Sequence, residues 1–236
     1  MERIGGVDIG GTKVRWIVLE RLRIVASHEF KTPRRKARFA AALSAAFSGL
    51  ERMGVRRVGV GFPGEVRRAR GAFAHNLPLL RGMDFRAFAP RNVAIVRVEN
   101  DARCFALVEA KRGAGKGARR LLALIFGTGV GRAFVRNGKV AASARLSRAE
   151  RWEGAYQKRL SSPPPALAGF LAKALLPLIA GLSPDAIVIG GGLLRKPRMF
   201  TLIRRAMRRQ GIAVPVRRSR FRENGPAIGA ALSAEG

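Results

Sequence analysis

The chain has 236 residues, 47% of them hydrophobic, which is enough for one large domain or two small ones and too apolar for a wholly disordered protein. It carries 46 Lys and Arg against 15 Asp and Glu, a net charge of +31, and a single cysteine, Cys104. One thiol excludes an intrachain disulfide and a cysteine-based zinc cluster.

No apolar run approaches the ~20 residues of a membrane span. The longest, residues 166–182, is interrupted by Lys173 and Pro177 and reads as a buried helix. Asp8 and Lys13 fall where the apolar core of a signal peptide would lie, so a cytoplasmic protein with no membrane partner is expected. The charge suits a polyanionic partner. Yet the basic residues run along the whole chain, strongly favour arginine, and accompany abundant Ala, Gly and Pro, as a general compositional bias would produce. Nucleic acid is therefore expected to bind only non-specifically, through charge.

In chain order, residues 3–9, 14–19 and 22–30 read as strands. Phe39, Leu43, Phe47 and Leu50 then recur at helical spacing. Residues 58–62 form a short buried strand stopped by Pro63-Gly64, 93–98 another, and Asp101 heads a helix through residue 110. The second half opens similarly, with strands at 121–126 and 132–135 around a glycine turn. Helices are predicted at 148–160 and 165–180, a strand at 186–189, a basic helix at 198–209, a strand at 213–216 and a last helix at 225–233. Two halves that each open strand–glycine turn–strand point to a duplicated α/β fold.

The strongest local pattern is Asp8-Ile9-Gly10-Gly11-Thr12-Lys13. Glycines let backbone N–H groups approach phosphate oxygens, Thr12 adds a hydroxyl, and Asp8 could hold Mg²⁺ beside them. Taken alone, the two glycines are better explained by an ordinary Gly-Gly hairpin turn. Gly127-Thr128-Gly129-Val130-Gly131 supplies a matching turn in the second half.

With Val98-Glu99-Asn100-Asp101 and Ile187-Val188-Ile189-Gly190-Gly191-Gly192, these two turns make an ordered set that resembles the ROK family of repressors and sugar kinases. Residues 59–64, Asn76-Leu77-Pro78 and the run from Gly225 to Ala231 extend the likeness over nearly the whole chain. The resemblance implies an α/β, two-lobed actin-like (ribonuclease-H-like) ATPase fold of duplicated βββαβα units, with a nucleotide cleft between the lobes. The N-terminal lobe would span 1–103, with the helix at 225–236 returning to it, and the C-terminal lobe 104–224. It implies ATP-dependent phosphorylation of a hexose or N-acylhexosamine hydroxyl, with ATP and Mg²⁺ as cofactors. Asp101 would be the catalytic base, and Asn76, Asn100 and Glu153 would contact the sugar. Asp8, Gly10, Gly11, Thr12, Lys13, Gly127, Thr128, Gly129 and Gly131 would hold the phosphates, and Gly190, Gly191 and Gly192 the adenosine.

Simpler roles stand beside these. Asp101 could cap its helix, Asn76 could be a plain turn residue, and Glu153 or its competitor Glu150 could be a solvated helix carboxylate. The family's Glu-x-Gly-His and Cys-rich segment is missing: the chain's histidines are His28 and His75, so no structural zinc is expected. Arg132 stands where the family has small residues, either clamping phosphates or facing solvent. A repressor would carry a DNA-binding domain ahead of the first phosphate turn, whereas Asp8 is the eighth residue, so a kinase is the reading preferred. A non-catalytic sugar or nucleotide sensor is the alternative, and a homodimer is compatible with the sequence.

Overall fold

The computed structural model describes residues 2–21, 23–67, 70–74, 77–141 and 152–235. They form two compact units, Met1–Phe105 with Asn224–Gly236, and Ala106–Glu223. In the first, β1 (Arg3–Ile9), β2 (Lys13–Glu20) and β3 (Arg23–Lys31) precede α1 (Lys36–Arg52) and β4 (Arg57–Phe62). A small hairpin, β5 (Glu65–Arg67) and β6 (Arg70–Phe73), comes next, then β7 (Ala94–Asn100) and α2 (Asp101–Arg112), which runs on into the second unit. There, β8 (Arg120–Phe126), β9 (Val130–Arg136), β10 (Lys139–Val140), α3 (Trp152–Lys158), α4 (Pro164–Leu182), β11 (Ala186–Gly190), α5 (Met199–Arg209) and β12 (Val216–Arg218) follow. The closing helix α6 (Gly225–Ser233) belongs to the first unit.

The two main sheets repeat one topology, β3-β2-β1-β4-β7 and β10-β9-β8-β11-β12. Each is an antiparallel meander continued by two parallel strands. The expected duplicated α/β arrangement is what forms.

In the first unit the period-2 pattern of β1 and β4 sorts residues onto two faces. Val7, Ile9, Val58, Val60 and Phe62 pack against the α1 stripe Phe39, Leu43, Phe47 and Leu50. Each such side chain contributes about 1.5–3 kcal/mol on burial. The opposite face carries glycines, because α6 lies there with almost no clearance. A Cβ on Gly6 would stand 2.0 Å from the Ala227 carbonyl oxygen, and one on Gly59 1.9 Å from that of Ala230. Gly229 in turn meets the Cys104 carbonyl of α2 at 1.9 Å. The small residues Ala227, Gly229, Ala230 and Ala231 of α6 make this possible, and every residue from Gly225 to Leu232 is buried.

In the second unit, Leu122, Leu124, Phe126, Ile187 and Ile189 pack against α4 and α5. Among the described residues α4 is the one helix with the length and apolar character of a membrane span. Its Leu167, Leu171 and Leu175 lie in the core, while Lys173 and Pro177 share its exposed side. A fully buried carboxylate, Glu109 of α2, accepts hydrogen bonds from the Ser219 hydroxyl and from the Ala114 N–H at 2.7 Å. Gly113 leaves room for it, since a Cβ there would lie 2.0 Å from Oε2. Burial raises the Glu109 pKa, and the hydrogen bonds from Ser219 and the backbone N–H groups oppose the rise.

Two predicted elements differ. The last strand occupies 216–218 rather than 213–216, because Pro215 has no N–H to give a ladder and its carbonyl instead receives the Ile187 N–H at 2.9 Å. The helix expected at 148–160 is seen from Trp152 to Lys158, and residues 142–151 lie outside the described ones.

The glycine seat gives a paired prediction. Gly59→Ala should destabilise the protein by about 3 kcal/mol, the upper range for overpacking. Gly169→Ala, in α4 where an added Cβ meets nothing within 4 Å, should stabilise it by about 1 kcal/mol. Denaturant melts of the two variants check both signs.

Candidate active site

β1 and β4 run parallel, so Asp8 lies opposite Gly61, two residues beyond Gly6 and Gly59 on the face that α6 covers. A Cβ on Gly61 would be 3.6 Å from Asp8 Oδ1 and 3.8 Å from Asp101 Cα. Both are ordinary contact distances, so the start of α2 and the end of β1 lie on either side of Gly61, and the two carboxylates share one pole of the sheet. Burial, and secondly the charge of Asp101, push the Asp8 pKa up to about 7 against the opposing pull of Arg15 and Lys13. Arg15 is the cross-strand partner of Asp8 in the β1–β2 hairpin.

Asn100, rather than Asp101, caps α2. Its Oδ1 accepts the Arg103 N–H at 3.1 Å, and its Nδ2 donates to the Gly64 carbonyl at 3.1 Å. Asp101 stands in the first turn, its Oδ1 accepting the Ala102 N–H at 2.7 Å. Glu99 braces this corner by accepting from the Asn100 N–H at 2.8 Å and from Arg103 Nε at 2.9 Å.

The turn Gly10-Gly11-Thr12-Lys13 is closed by a bond from the Gly10 N–H to the Lys13 carbonyl at 2.9 Å. Thr32, just past β3 and buried, buckles it from outside. Its hydroxyl donates to the Gly10 carbonyl at 2.7 Å, and its N–H donates to the Thr12 carbonyl at 3.0 Å. The Lys13 ammonium sits on Glu29 at 2.9 Å, where Arg15 also bonds. These two hydrogen bonds hold the Glu29 carboxyl below its usual range.

In the second unit the turn from Gly127 to Gly131 has its own supports, both from α3. Tyr156 donates its hydroxyl to the Gly127 carbonyl at 2.8 Å, and Glu153 Oε1 accepts the Val130 N–H at 3.0 Å. Burial raises the Tyr156 phenol's pKa, so it remains a donor. Gly191 has φ +96°, and a Cβ there would be 2.3 Å from the Phe126 carbonyl oxygen. That contact sets the Gly190-Gly191-Gly192 turn directly against the strand end that feeds Gly127. Arg132 lies over the Trp152 ring at 5.7 Å.

The structure therefore brings together Asp8, Gly10, Gly11, Thr12, Asn100 and Asp101 within one unit. Gly127, Thr128, Gly129, Gly131, Glu153 and the Gly190–Gly192 turn gather within the other. Asn76 lies outside the described residues. Among these residues no group of three or more His, Cys, Asp or Glu could hold a metal by itself. Sequence reading missed Arg15, Thr32, Gly61 and Tyr156. Arg15 was accessible from the hairpin register alone, because a turn that pairs Ile9 with Val14 also pairs Asp8 with Arg15.

Asp8 also yields a pH prediction. The native state holds this proton more tightly than the unfolded chain, so stability falls as pH rises from ~4 to about 7. Asp8→Asn removes that loss. It should melt above the parent protein at pH values over 7, with the difference vanishing at pH values below ~4. Thermal melts across the pH range test this.

The sequence profile described as the ROK family matches residues 4–145. Glucokinase of Streptomyces coelicolor is 36% identical over 145 residues, covering 57% of this chain and 44% of that protein. N-acetyl-D-glucosamine kinase of Salmonella heidelberg is 38% identical over 141 residues, covering 57% and 46%. The chain thus spans under half the length of these curated relatives. Among solved structures, a ROK family glucokinase from Streptomyces griseus in complex with glucose and AMPPNP superimposes with a TM-score of 0.83 at 23% identity, covering 98% of this chain and 99% of that one. That likeness shows the fold, the actin-like ATPase fold anticipated above. With its profile match covering more than half of the sequence, the chain belongs to the ROK family.

Proposed function

We propose that the protein is a sugar kinase, transferring the terminal phosphoryl group of ATP to a hydroxyl of a hexose or N-acylhexosamine. The observation that carries this reading is the approach of Asp101 to Asp8 across Gly61, beside the buckled turn at Gly10-Gly11-Thr12. The family membership supports it, as do relatives named glucokinase and N-acetyl-D-glucosamine kinase.

In this mechanism the sugar hydroxyl gives its proton to the Asp101 carboxylate as its oxygen bonds to the γ-phosphorus. The bond from that phosphorus to the β–γ bridging oxygen breaks, and ADP leaves. Asn100 has one amide hydrogen and one lone pair beyond its cap and Gly64 bonds, which suit a sugar hydroxyl. Backbone N–H groups and the hydroxyls of Thr12 and Thr128 would receive phosphate oxygens. The Gly190-Gly191-Gly192 turn, lacking side chains, would leave a slot for adenosine. Glu153, with Oε1 committed to Val130, would reach a sugar only through Oε2.

Asp8 also fits a magnesium ion shared with the phosphates: one carboxylate is too few for a protein-only cage, and its raised pKa is one that a nearby cation would relieve. When bound beside Asp8, the metal would neutralise charge on the phosphates. No structural zinc belongs to this reading.

Incubation with ATP, Mg²⁺ and a panel of hexoses and N-acylhexosamines, following ADP release, is the direct test. A chain that binds nucleotide yet releases no ADP with any sugar of the panel would be a sensor instead. With an accepted sugar, Asp101→Asn should lower turnover by about two orders of magnitude or more, the size of a general-base contribution. Nucleotide affinity should hold. A variant that kept most of its activity would remove Asp101 from the role.

A further inference from the structure

The positive charge is not spread evenly. Residues 106–223 hold 25 Lys and Arg against 5 Asp and Glu, and within 195–222 there are 11 basic residues and no acidic one. The fold concentrates them further. α5 buries Met199, Ile203 and Met207 and turns Arg204, Arg205, Arg208 and Arg209 outward. β12, reached directly from α5, is the edge strand of its sheet and exposes Arg217 and Arg218. Between helix and strand lies a groove of about 310 Å³, walled by Arg204 and Arg208 and floored by residues 212–216.

Helix electrostatics account for only part of this pattern. Arg208 and Arg209 in the last turn complement the helix dipole, but Arg204 and Arg205 lie a turn earlier. Arg204 and Arg208 are four residues apart on one face, where like charges destabilise a helix. The Arg204 guanidinium lies over the Phe200 ring at 5.7 Å. Among the described residues no carboxylate pairs with Arg204, Arg205, Arg208 or Arg209.

We infer that this groove binds a short stretch of single-stranded nucleic acid, with successive phosphates on Arg204 and Arg208 and a base or ribose against the floor at 212–216. Guanidinium forks match phosphate oxygens in pairs. Ala213, Val214, Pro215 and Val216 make about half of the groove's exposed lining apolar, a part that a bare phosphate polymer would leave unused. A volume at the low end of small-ligand sites admits a nucleotide, whereas a duplex needs a broad basic face. Binding of this kind is independent of base identity but has a location, unlike adhesion to diffuse charge.

Fluorescence anisotropy of the full chain, without ATP or sugar, decides the matter. The probes are an oligonucleotide of about 12 residues, inside the usual single-strand site range, the matching duplex, and inorganic polyphosphate of equal charge. The single strand should bind tightest. R204E/R208E should weaken it at least tenfold at ~0.1 M salt and lower the slope of log K against log salt by about 1.4, the value for two lost single-strand phosphate contacts. R35E/R38E, the same charge change at the start of α1, should weaken it less than about twofold, as expected of screened charge outside the groove. Val214→Asn, which leaves charge intact, should weaken the oligonucleotide and spare polyphosphate. Equal losses in the two reversal variants would return the binding to diffuse charge. Duplex or polyphosphate matching the single strand, or indifference to Val214→Asn, would overturn the proposed occupant. Thermal melts identify any variant that has lost its fold, and the milder R204Q/R208Q then replaces it with the same expected direction.

Discussion

The first unit is organised by a steric constraint: four backbone segments meet where no side chain fits. Gly6 of β1 and Gly59 of β4 receive the carbonyls of α6, and Gly229 of α6 receives the carbonyl of Cys104 on α2. Each contact lies two or three residues from the chemistry. Asp8 is two residues beyond Gly6, Gly61 two beyond Gly59, and Asp101 one turn before Cys104. These three contacts hold the strand ends and the start of α2 together, and with them the burial and, secondly, the Asp101 charge that raise the proton affinity of Asp8. The site is therefore set by main-chain packing, which is stiffer than any side-chain hydrogen bond.

The duplicated topology gives each unit a glycine turn after its first strand, yet the turns are supported differently. Thr32, following the third strand of the meander, buckles the first turn with both its hydroxyl and its N–H. The second turn leans on Tyr156 and Glu153 from α3, an element with no counterpart in the first unit. A duplicated frame conserves where the turn occurs, and each half supplies its own brace.

Much of this was legible in the sequence because local and global preferences agree. β1 and α6 have the predicted ends, and the α1 stripe of Phe39, Leu43, Phe47 and Leu50 faces the core. What escaped was non-local or chemically ambiguous. The β5–β6 hairpin has no apolar alternation to announce it. Pro215 moved β12 because one missing N–H outweighs a run of apolar residues. A motif reading offers Lys13 to phosphate, but its ammonium rests on Glu29 of the neighbouring strand, a pairing visible only once the register of β2 and β3 is known. Asn100 carries the cap that the sequence equally allowed Asp101, since one-residue differences at a helix start depend on which side chain reaches the third N–H.

The first unit is also discontinuous along the chain, and this bears on its synthesis. Domains generally fold as units in the order they emerge, the N-terminal one first. Here residues 106–223 form a continuous unit that can complete its core during translation. β1 and β4 appear much earlier, yet their glycine face has no cover until α6 has left the ribosome. The nascent first sheet must therefore hold one bare face through the whole synthesis of the second unit, a long interval in which chaperone contact or wrong pairing can intervene. The segment made first is the last to be finished.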